Sequence, residues 1–183
     1  MVAPDAWVPL AEVARPHGIG GELRLRVFNR DSDLLLSLDE VLVRLPDGAQ
    51  HEVSVDDARR AGDAVLLKLF SVDDRDAADG LRGALVCARR REFPSLEEGE
   101  FYACDVEGAS VVCGVGDGSR EGGPTELGRV RELRTYPAME VLVVDASDGG
   151  APYEVPLVES VVRAVDVVRG IVVLSTLEGV ERS

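Results

Sequence analysis

Short runs in which apolar and polar residues alternate recur along the chain, each bounded by Gly, Pro or Asp. The clearest run, Glu22–Phe28, alternates strictly, which is typical of a β-strand with one buried face. Val41–Leu45 and His51–Val55 flank Pro46–Gly48, a sequence suited to a hairpin turn, and Ala64–Phe70 follows another turn. Strands at this spacing, with little helix between them, predict a small barrel or sandwich.

One helix is expected in the first half, after these strands. We expect Asp73 to cap its N-terminus, because an aspartate there can accept a hydrogen bond from the first turn. Ala77, Ala78 and Leu81 supply its apolar face, and Gly83 is expected to end it before a strand at Ala84–Ala88. The aspartates could also be a metal or catalytic cluster, but a capped, solvated helix start is the favoured interpretation.

The composition changes near residues 89–100, where an arginine triplet gives way to Pro94, Ser95, Gly99 and three glutamates. We therefore expect an N-terminal β-barrel domain over residues 6–92, a linker over 93–100 and a C-terminal barrel domain over 101–181. The second half again contains β-like runs, which are Ala109–Val115, Leu127–Leu133, Glu140–Val144, Tyr153–Val155, Val161–Val165 and Ile171–Leu174. Between the first two of these runs, Gly116–Thr125 is expected to form a long hairpin loop. The predicted fold class is all-β, with two small barrels and one short helix in the first domain.

The charge of the chain limits its partners. The 183 residues are 45% hydrophobic and 30% charged, which is enough apolar residue to bury a core, and the formal net charge is −14. Residues 1–93 carry a net charge of −4 and residues 94–183 a net charge of −10. This balance disfavours a protein whose affinity comes from nonspecific phosphate contacts and favours a basic partner.

The cysteines and histidines predict no special chemistry. Cys87, Cys104 and Cys113 form no C-x-x-C pair, so neither a disulfide framework nor a zinc site is expected, and His17 and His51 are too few for a histidine-rich metal site. The N-terminal residues do not have the pattern of a signal peptide, and no apolar run is long enough to cross a bilayer. We expect a cytoplasmic monomer with no cofactor, no metal and no membrane association.

Two segments have some features of catalytic or nucleotide-binding elements. Gly114–Gly118 follows a strand, but it leads into more Gly, then Pro124 and another strand, whereas a phosphate-binding loop must lead into a helix. Cys104 precedes Asp105, with no histidine nearby in sequence, so a structural cysteine is the favoured interpretation. No constellation of residues predicts an enzyme.

Arg15–Glu22 is the first segment that could bind a partner. Pro16 fixes the direction of the chain, while Gly18, Gly20 and Gly21 would allow positive φ and the close approach of another backbone. Arg15 and His17 would then be displayed on a tight connection between two strands. A glycine-rich turn with incidental side chains is the alternative interpretation.

Glu98–Asp105 is the second such segment, because it places Phe101 beside Tyr102 in a chain with only 4% aromatic residues. If this segment is a strand, the two rings face opposite sides, so one can pack in the core while the other reaches a partner. Packing of both rings between domains is an equally good interpretation.

Taken together, the two segments resemble the RimM family of ribosome maturation factors, which assist assembly of the small ribosomal subunit. The resemblance extends over nearly the whole chain in a fixed order and spacing. Its segments are Val13–Leu25, Asp74–Gly83, Gly99–Gly108, Leu127–Val130, Glu140–Val144 and Val155–Asp166.

The resemblance implies a barrel like those of translation factors followed by a PRC barrel, with no catalysis. It also implies binding to the immature 30S subunit and to ribosomal protein number nineteen of its head, so that 16S rRNA maturation is promoted mainly indirectly. The family's adjacent aromatic pair, usually two tyrosines, corresponds to Phe101 and Tyr102, so Phe101 retains the ring and lacks the hydroxyl. The expected partner-binding residues are Phe101, Tyr102, Arg15, His17, Gly18 and Gly21. A generic acidic adaptor, or a nucleotide- or thiol-dependent enzyme, is the alternative.

Overall fold

The computed structural model describes residues 2–97, 100–114 and 125–182. The described chain divides into two compact units, which meet in sequence between Ser95 and Leu96. Residues 98–99 of the expected linker and residues 116–124 of the expected hairpin loop lie outside the described residues.

The first unit is a closed barrel of six strands in the order β1-β2-β5-β4-β3-β6, all paired antiparallel. Its strands are β1 Trp7–His17, β2 Glu22–Val27, β3 Glu40–Arg44, β4 Gln50–Ala61, β5 Ala64–Leu69 and β6 Leu85–Arg89. Its helical segments are α1 Arg75–Asp79 and the 3₁₀ turns Leu34–Leu36 and Arg90–Glu92.

Alternation along the strands builds the core of this barrel. Alternate residues of β2 and β5, among them Leu23, Leu25, Leu67 and Leu69, are 0% exposed and form one cluster. The residues between them face outward, because successive side chains on a strand point to opposite faces. Ala78 of α1 is also fully buried in this cluster, so the short helix closes part of the barrel.

The second unit contains a seven-stranded sheet in its described residues, in the order β11-β12-β7-β8-β9-β10-β13. Its strands are β7 Ser110–Cys113, β8 Thr125–Thr135, β9 Glu140–Ala146, β10 Tyr153–Pro156, β11 Val162–Asp166, β12 Ile171–Leu174 and β13 Glu181–Arg182. A short helix, α2 Ala103–Val106, precedes the sheet. β12 pairs with β7 in parallel, and the other described pairs are antiparallel.

This sheet curls around a single core. Val155 of β10 and Leu174 of β12 come from opposite sides of the strand order, yet both pack in one buried cluster with Val111, Leu142 and Val144.

The prediction of a mainly β, two-domain fold is confirmed. A second short helix, α2, was not predicted. Among the described residues, no helix combines the length and apolar character that crossing a bilayer requires.

The predicted helix differs from α1 at both ends. Asp74, not Asp73, is the N-cap, since its carboxylate accepts a hydrogen bond from the backbone N–H of Ala77 at 2.8 Å. Asp73 instead pairs with Lys68 at 3.0 Å. The helix ends at Asp79 and is capped by Gly80, so Gly83 lies beyond it, at a positive φ of 77°.

Candidate functional site

Arg15 and His17 lie within β1 and not in the connection that follows it, so the predicted display on a tight loop is wrong for both residues. β1 continues to His17, with an irregularity in its pairing between Val13 and Arg15, and the turn consists only of residues 18–21. Arg15 is exposed, His17 is half-buried, and Pro16 between them is buried. The strand itself therefore points the Arg15 side chain to solvent.

Gly21 allows the close backbone approach that the sequence predicts. It is buried with φ of +79°, and a Cβ atom on it would lie 1.9 Å from the carbonyl oxygen of Val72. Gly18 also has a positive φ, +66°, but no atom lies within 4 Å of its ideal Cβ position. Gly20, the third glycine of the segment, does not adopt a positive φ. Only Gly21 combines both constraints in this turn.

An exposed apolar side chain and several basic side chains lie at or near this turn. Ile19 at its tip is 85% exposed. Arg75 of α1 donates to the carbonyl oxygen of Gly18 at 3.4 Å, and Lys68 donates to the carbonyl oxygen of Val72. Arg15 has no ion-pair partner within the described part of the chain, and its cross-strand neighbour is Arg24. Arg15 therefore presents an uncompensated positive charge on the strand that leads into this turn.

Phe101 and Tyr102 do not lie in a strand, so the prediction of two rings on opposite strand faces is wrong. They immediately precede α2, and Tyr102 occupies its N-cap position, with φ −85° and ψ 146°. The Tyr102 carbonyl accepts a hydrogen bond from the N–H of Asp105 at 2.8 Å, and Asp105 is only 4% exposed. Phe101 packs against the core of the second unit, while both rings are half-buried.

The predicted site residues thus fall into two sets, one in each unit. Arg15, His17, Gly18 and Gly21 belong to the end of β1 and its turn in the first unit, and the aromatic pair belongs to the start of the second. The two sets therefore belong to separate elements of the fold, and each is described within its own unit.

A charged network on the outer face of the second unit is not visible in the sequence. Arg134 donates from Nη1 to Glu154 at 3.2 Å and to the Tyr136 hydroxyl at 3.3 Å, and from Nη2 to Glu132 at 2.5 Å. The hydrogen bonds to Tyr136 and Glu132 raise the pKa of the Arg134 guanidinium. Leu142 faces the core cluster, so Val141 and Val143 point to the opposite face of the sheet, where both are buried and their cross-strand partners are Arg134 and Glu132. The network therefore lies across β8, β9 and β10.

The same face carries a carboxylate that is held at a raised pKa. Partial burial raises the pKa of Glu107, and repulsion from Glu132 adds to the effect. Negative charge is therefore crowded on this part of the second unit.

The histidines and Cys104 belong to different elements of the chain. His17 lies in β1 and His51 in β4 of the first unit, whereas Cys104 lies in α2 of the second. Burial raises the pKa of the Cys87 thiol, which disfavours its reactive thiolate form. Within residues 2–97, 100–114 and 125–182, no group of three or more His, Cys, Asp or Glu side chains could hold a metal ion. Apart from Gly114, the Gly114–Gly118 segment lies outside the described residues.

Family models match both units of the chain. The RimM N-terminal domain matches residues 8–93, and the RimM PRC barrel domain matches residues 110–180. The sequence-based resemblance to RimM is thus confirmed by two separate domains in the expected order.

Whole-length relatives agree with these matches. The ribosome maturation factor RimM of Sorangium cellulosum (strain So ce56) is 50% identical over 173 residues, covering 94% of this chain and 96% of the relative. The ribosome maturation factor RimM of Geobacter metallireducens is 35% identical over 179 residues, covering 98% of each. The crystal structure of RimM from Pseudomonas aeruginosa is 25% identical, with a TM-score of 0.46 and coverage of 93% of this chain and 98% of that one. The two family-model matches, together with the relatives from Sorangium cellulosum and Geobacter metallireducens, show that the chain belongs to the RimM family of ribosome maturation factors.

Proposed function

We propose that the chain acts in ribosome maturation without catalysing a reaction, by binding the immature 30S subunit through ribosomal protein number nineteen of the head. Binding would hold that region in a form that lets the 16S rRNA fold and be processed, so the RNA is affected mainly indirectly. We further propose that the protein acts in the cytoplasm as a monomer. Membership of the RimM family supports the role in maturation.

The distribution of charge is the observation that carries this proposal. Residues 94–183 hold 17 acidic and 7 basic residues, whereas residues 1–93 hold 17 and 13. A ribosomal protein that neutralises RNA phosphates is basic, so the second unit has the complementary sign. Such attraction increases the association rate, and salt reduces it by screening.

Unpaired carboxylates add to this argument. In the described part of the second unit, Glu140, Glu159 and Glu178 have no ion-pair partner, whereas Glu132 and Glu154 are held by Arg134. Carboxylates without an internal cation keep their full attraction for an external one. The second unit therefore supplies the contact with the basic protein in this proposal.

The two aromatic residues have different roles in this proposal. Phe101 packs against the core of the second unit, so its ring stabilises the fold that presents the site. Tyr102, next in sequence and half-buried at the start of α2, is the ring that we assign to the partner. Arg15 and His17 of the first unit would make a second contact with the 30S subunit.

A pelleting assay with immature 30S subunits tests the proposal. We expect Tyr102→Ala to reduce the co-sedimented fraction by ~10-fold, because an aromatic anchor at an interface contributes about 1–2 kcal/mol. Tyr102→Phe keeps the ring and should retain most of the binding, and circular dichroism checks that both variants are folded. Unchanged sedimentation of Tyr102→Ala would remove Tyr102 from the site.

Two experimental outcomes would contradict the proposed function and indicate a different one. Co-purification from a cell extract with a different basic protein, and not with 30S subunits, would indicate a general acidic adaptor. A thermal shift with a nucleotide, or rapid thiol labelling at Cys104, would indicate an enzyme.

A further inference from the structure

The turn that joins β8 to β9 in the second unit consists of four consecutive exposed apolar residues. These are Tyr136, Pro137, Ala138 and Met139, and the side chains of Tyr136 and Met139 are 39% and 46% exposed. The turn is closed by a hydrogen bond of 2.8 Å from the N–H of Tyr136 to the carbonyl of Met139. Pro137 fixes its own φ within this turn, which reduces the backbone freedom at that position.

A fifth apolar residue extends this surface. Leu157 donates a backbone hydrogen bond to the carbonyl of Glu140 at 2.9 Å, which holds the chain after β10 beside the start of β9. Val158, the next residue, is 39% exposed. We call Tyr136, Pro137, Ala138, Met139 and Val158 the apolar tip. Exposed apolar residues that are grouped in this way, with polar residues around them, are typical of interaction sites.

Hydrogen bonds within the second unit hold the aromatic side chain of the apolar tip in place. Arg134 donates to the Tyr136 hydroxyl at 3.3 Å, and its guanidinium is itself held by Glu132 and Glu154. The aromatic residue of the tip is therefore anchored through a network that joins β8 to β10. An anchored side chain loses less conformational freedom on binding, so more of its contact energy appears as affinity.

The charges around the apolar tip are negative and favour a cationic partner. Glu140 follows Met139, and Glu159 follows Val158, and neither carboxylate has an ion-pair partner among the described residues. The positive charge of Arg134 is already shared between two glutamates. A second copy of this acidic chain, an anionic lipid surface or RNA would each bring more negative charge to this rim.

We propose that the apolar tip, with Glu140 and Glu159, is a docking surface for a cationic protein segment that carries an apolar side chain between basic residues. The apolar side chain would pack on Met139 and Val158, and the flanking basic residues would pair with the two glutamates. This inference rests on the proposed function, because it takes the basic ribosomal protein as the partner that supplies the segment.

Isothermal titration calorimetry with purified ribosomal protein number nineteen tests the apolar part of the surface. We expect the double variant Met139→Ser, Val158→Ser to bind at least ~10-fold more weakly than the unaltered chain, since apolar anchors at the centre of an interface dominate its affinity. Both side chains are exposed, so the fold should persist, which circular dichroism checks. Val168→Ser is the matched control, because Val168 is 77% exposed between β11 and β12, outside the apolar tip, and should bind normally.

The charged rim has a separate test. Stopped-flow association of the same protein with the double variant Glu140→Gln, Glu159→Gln should be ~3-fold or more slower at low salt, with a weaker dependence on salt concentration. Glu178→Gln, which removes one unpaired carboxylate elsewhere in the unit, should have a smaller effect.

The outcomes separate this inference from the function on which it rests. If the unaltered chain does not bind the ribosomal protein, both are overturned. If it binds and the Met139→Ser, Val158→Ser variant binds equally well, only the docking surface is overturned. Sedimentation that shows a concentration-dependent dimer of the unaltered chain, lost in this variant, would assign the apolar tip to a second copy and would likewise overturn the inference.

Discussion

The two units use charged residues in different ways. In the barrel of the first unit, arginines pair with carboxylates across the surface, as in Arg26–Glu12 and Arg59–Glu22, each at 2.6 Å. The second unit has more than twice the excess of acidic residues, and part of that excess has no internal cation. Alternating strands therefore build a core in both units, but the second carries the larger surplus of negative charge with which to attract a basic partner.

The units share one structural device. In each, a glycine lies so close to another strand or loop that a carbonyl oxygen occupies the position of its missing Cβ. That position is 1.9 Å from the Val72 oxygen at Gly21, and 1.8 Å from the Asp145 oxygen at Gly128.

The two units can be compared experimentally because the single tryptophan, Trp7, lies in the first unit and all three tyrosines lie in the second. Fluorescence can thus follow each unit separately.

Gly21→Ala should have the largest effect. The new Cβ would overlap the Val72 carbonyl at a positive φ, so we expect unfolding free energy to fall by about 3–4 kcal/mol. Urea unfolding followed by Trp7 fluorescence measures this loss. Gly18→Ala is the control, because it has a similar φ without a neighbouring atom and should lose only about 1 kcal/mol. Equal losses in the two variants would show that the contact with Val72 has no energetic importance.

Gly128→Ala is the matching change in the second unit. We expect a loss of about 2–3 kcal/mol, smaller because the pairing of β8 is irregular on both sides of Gly128 and can adjust. Tyrosine fluorescence should report the loss, while the Trp7 transition should keep its midpoint if the units unfold independently. Gly149→Ala, with φ of +72° and no atom within 4 Å, is the control in the same unit. A shift of the Trp7 transition instead would contradict the assignment of Gly128 to an independent second unit.

The strands were predictable because their alternation is a local property of the sequence. Glu22–Val27 begins where the pattern begins and stops one residue before the predicted end. The sequence does not settle the conformation of Phe101 and Tyr102, because α2 has only four residues and shows no helical periodicity. The position of the ring against the core follows from tertiary packing, which the local pattern does not contain.

The Arg134 network could not be predicted for a related reason. It depends on Glu132 lying opposite Val143 and on Arg134 lying opposite Val141, and that register follows an irregularity in pairing between Val130 and Glu132. A single extra residue in a strand shifts every partner beyond it, and no local signal marks its position. The contacts that anchor the apolar tip therefore became visible only in the structure.

The N-cap of α1 offers a smaller test, on two adjacent residues of the first unit. Asp74→Ala should lower the free energy of unfolding by about 1 kcal/mol, because it removes the acceptor for the Ala77 N–H. Asp73→Ala removes only an exposed ion pair with Lys68 and should cost less than about 0.5 kcal/mol. Trp7 fluorescence measures both variants under identical conditions. The reverse order would restore Asp73 as the cap that the sequence predicts.

The smallest expected effect concerns the crowded negative charge that distinguishes the second unit. Partial burial, together with repulsion from Glu132, raises the pKa of Glu107 in the folded chain above its ordinary value of 4.5. The charged form is therefore less favourable in the folded state than in the unfolded one. Glu107→Gln should then stabilise the second unit slightly at neutral pH, by less than about 0.5 kcal/mol because the group is largely exposed.

The pH dependence gives the sign of this effect. As the pH falls through the raised pKa of Glu107 towards 4.5, the folded state takes up its proton first and the unaltered chain gains stability, so its difference from the Gln variant should shrink and disappear below 4.5. Urea unfolding followed by tyrosine fluorescence at several pH values measures this convergence. Repeating the series in 1 M salt screens the repulsion from Glu132 and leaves the contribution of burial, so most of the difference should persist. A difference that vanished in salt would make repulsion, and not burial, the main cause of the raised pKa.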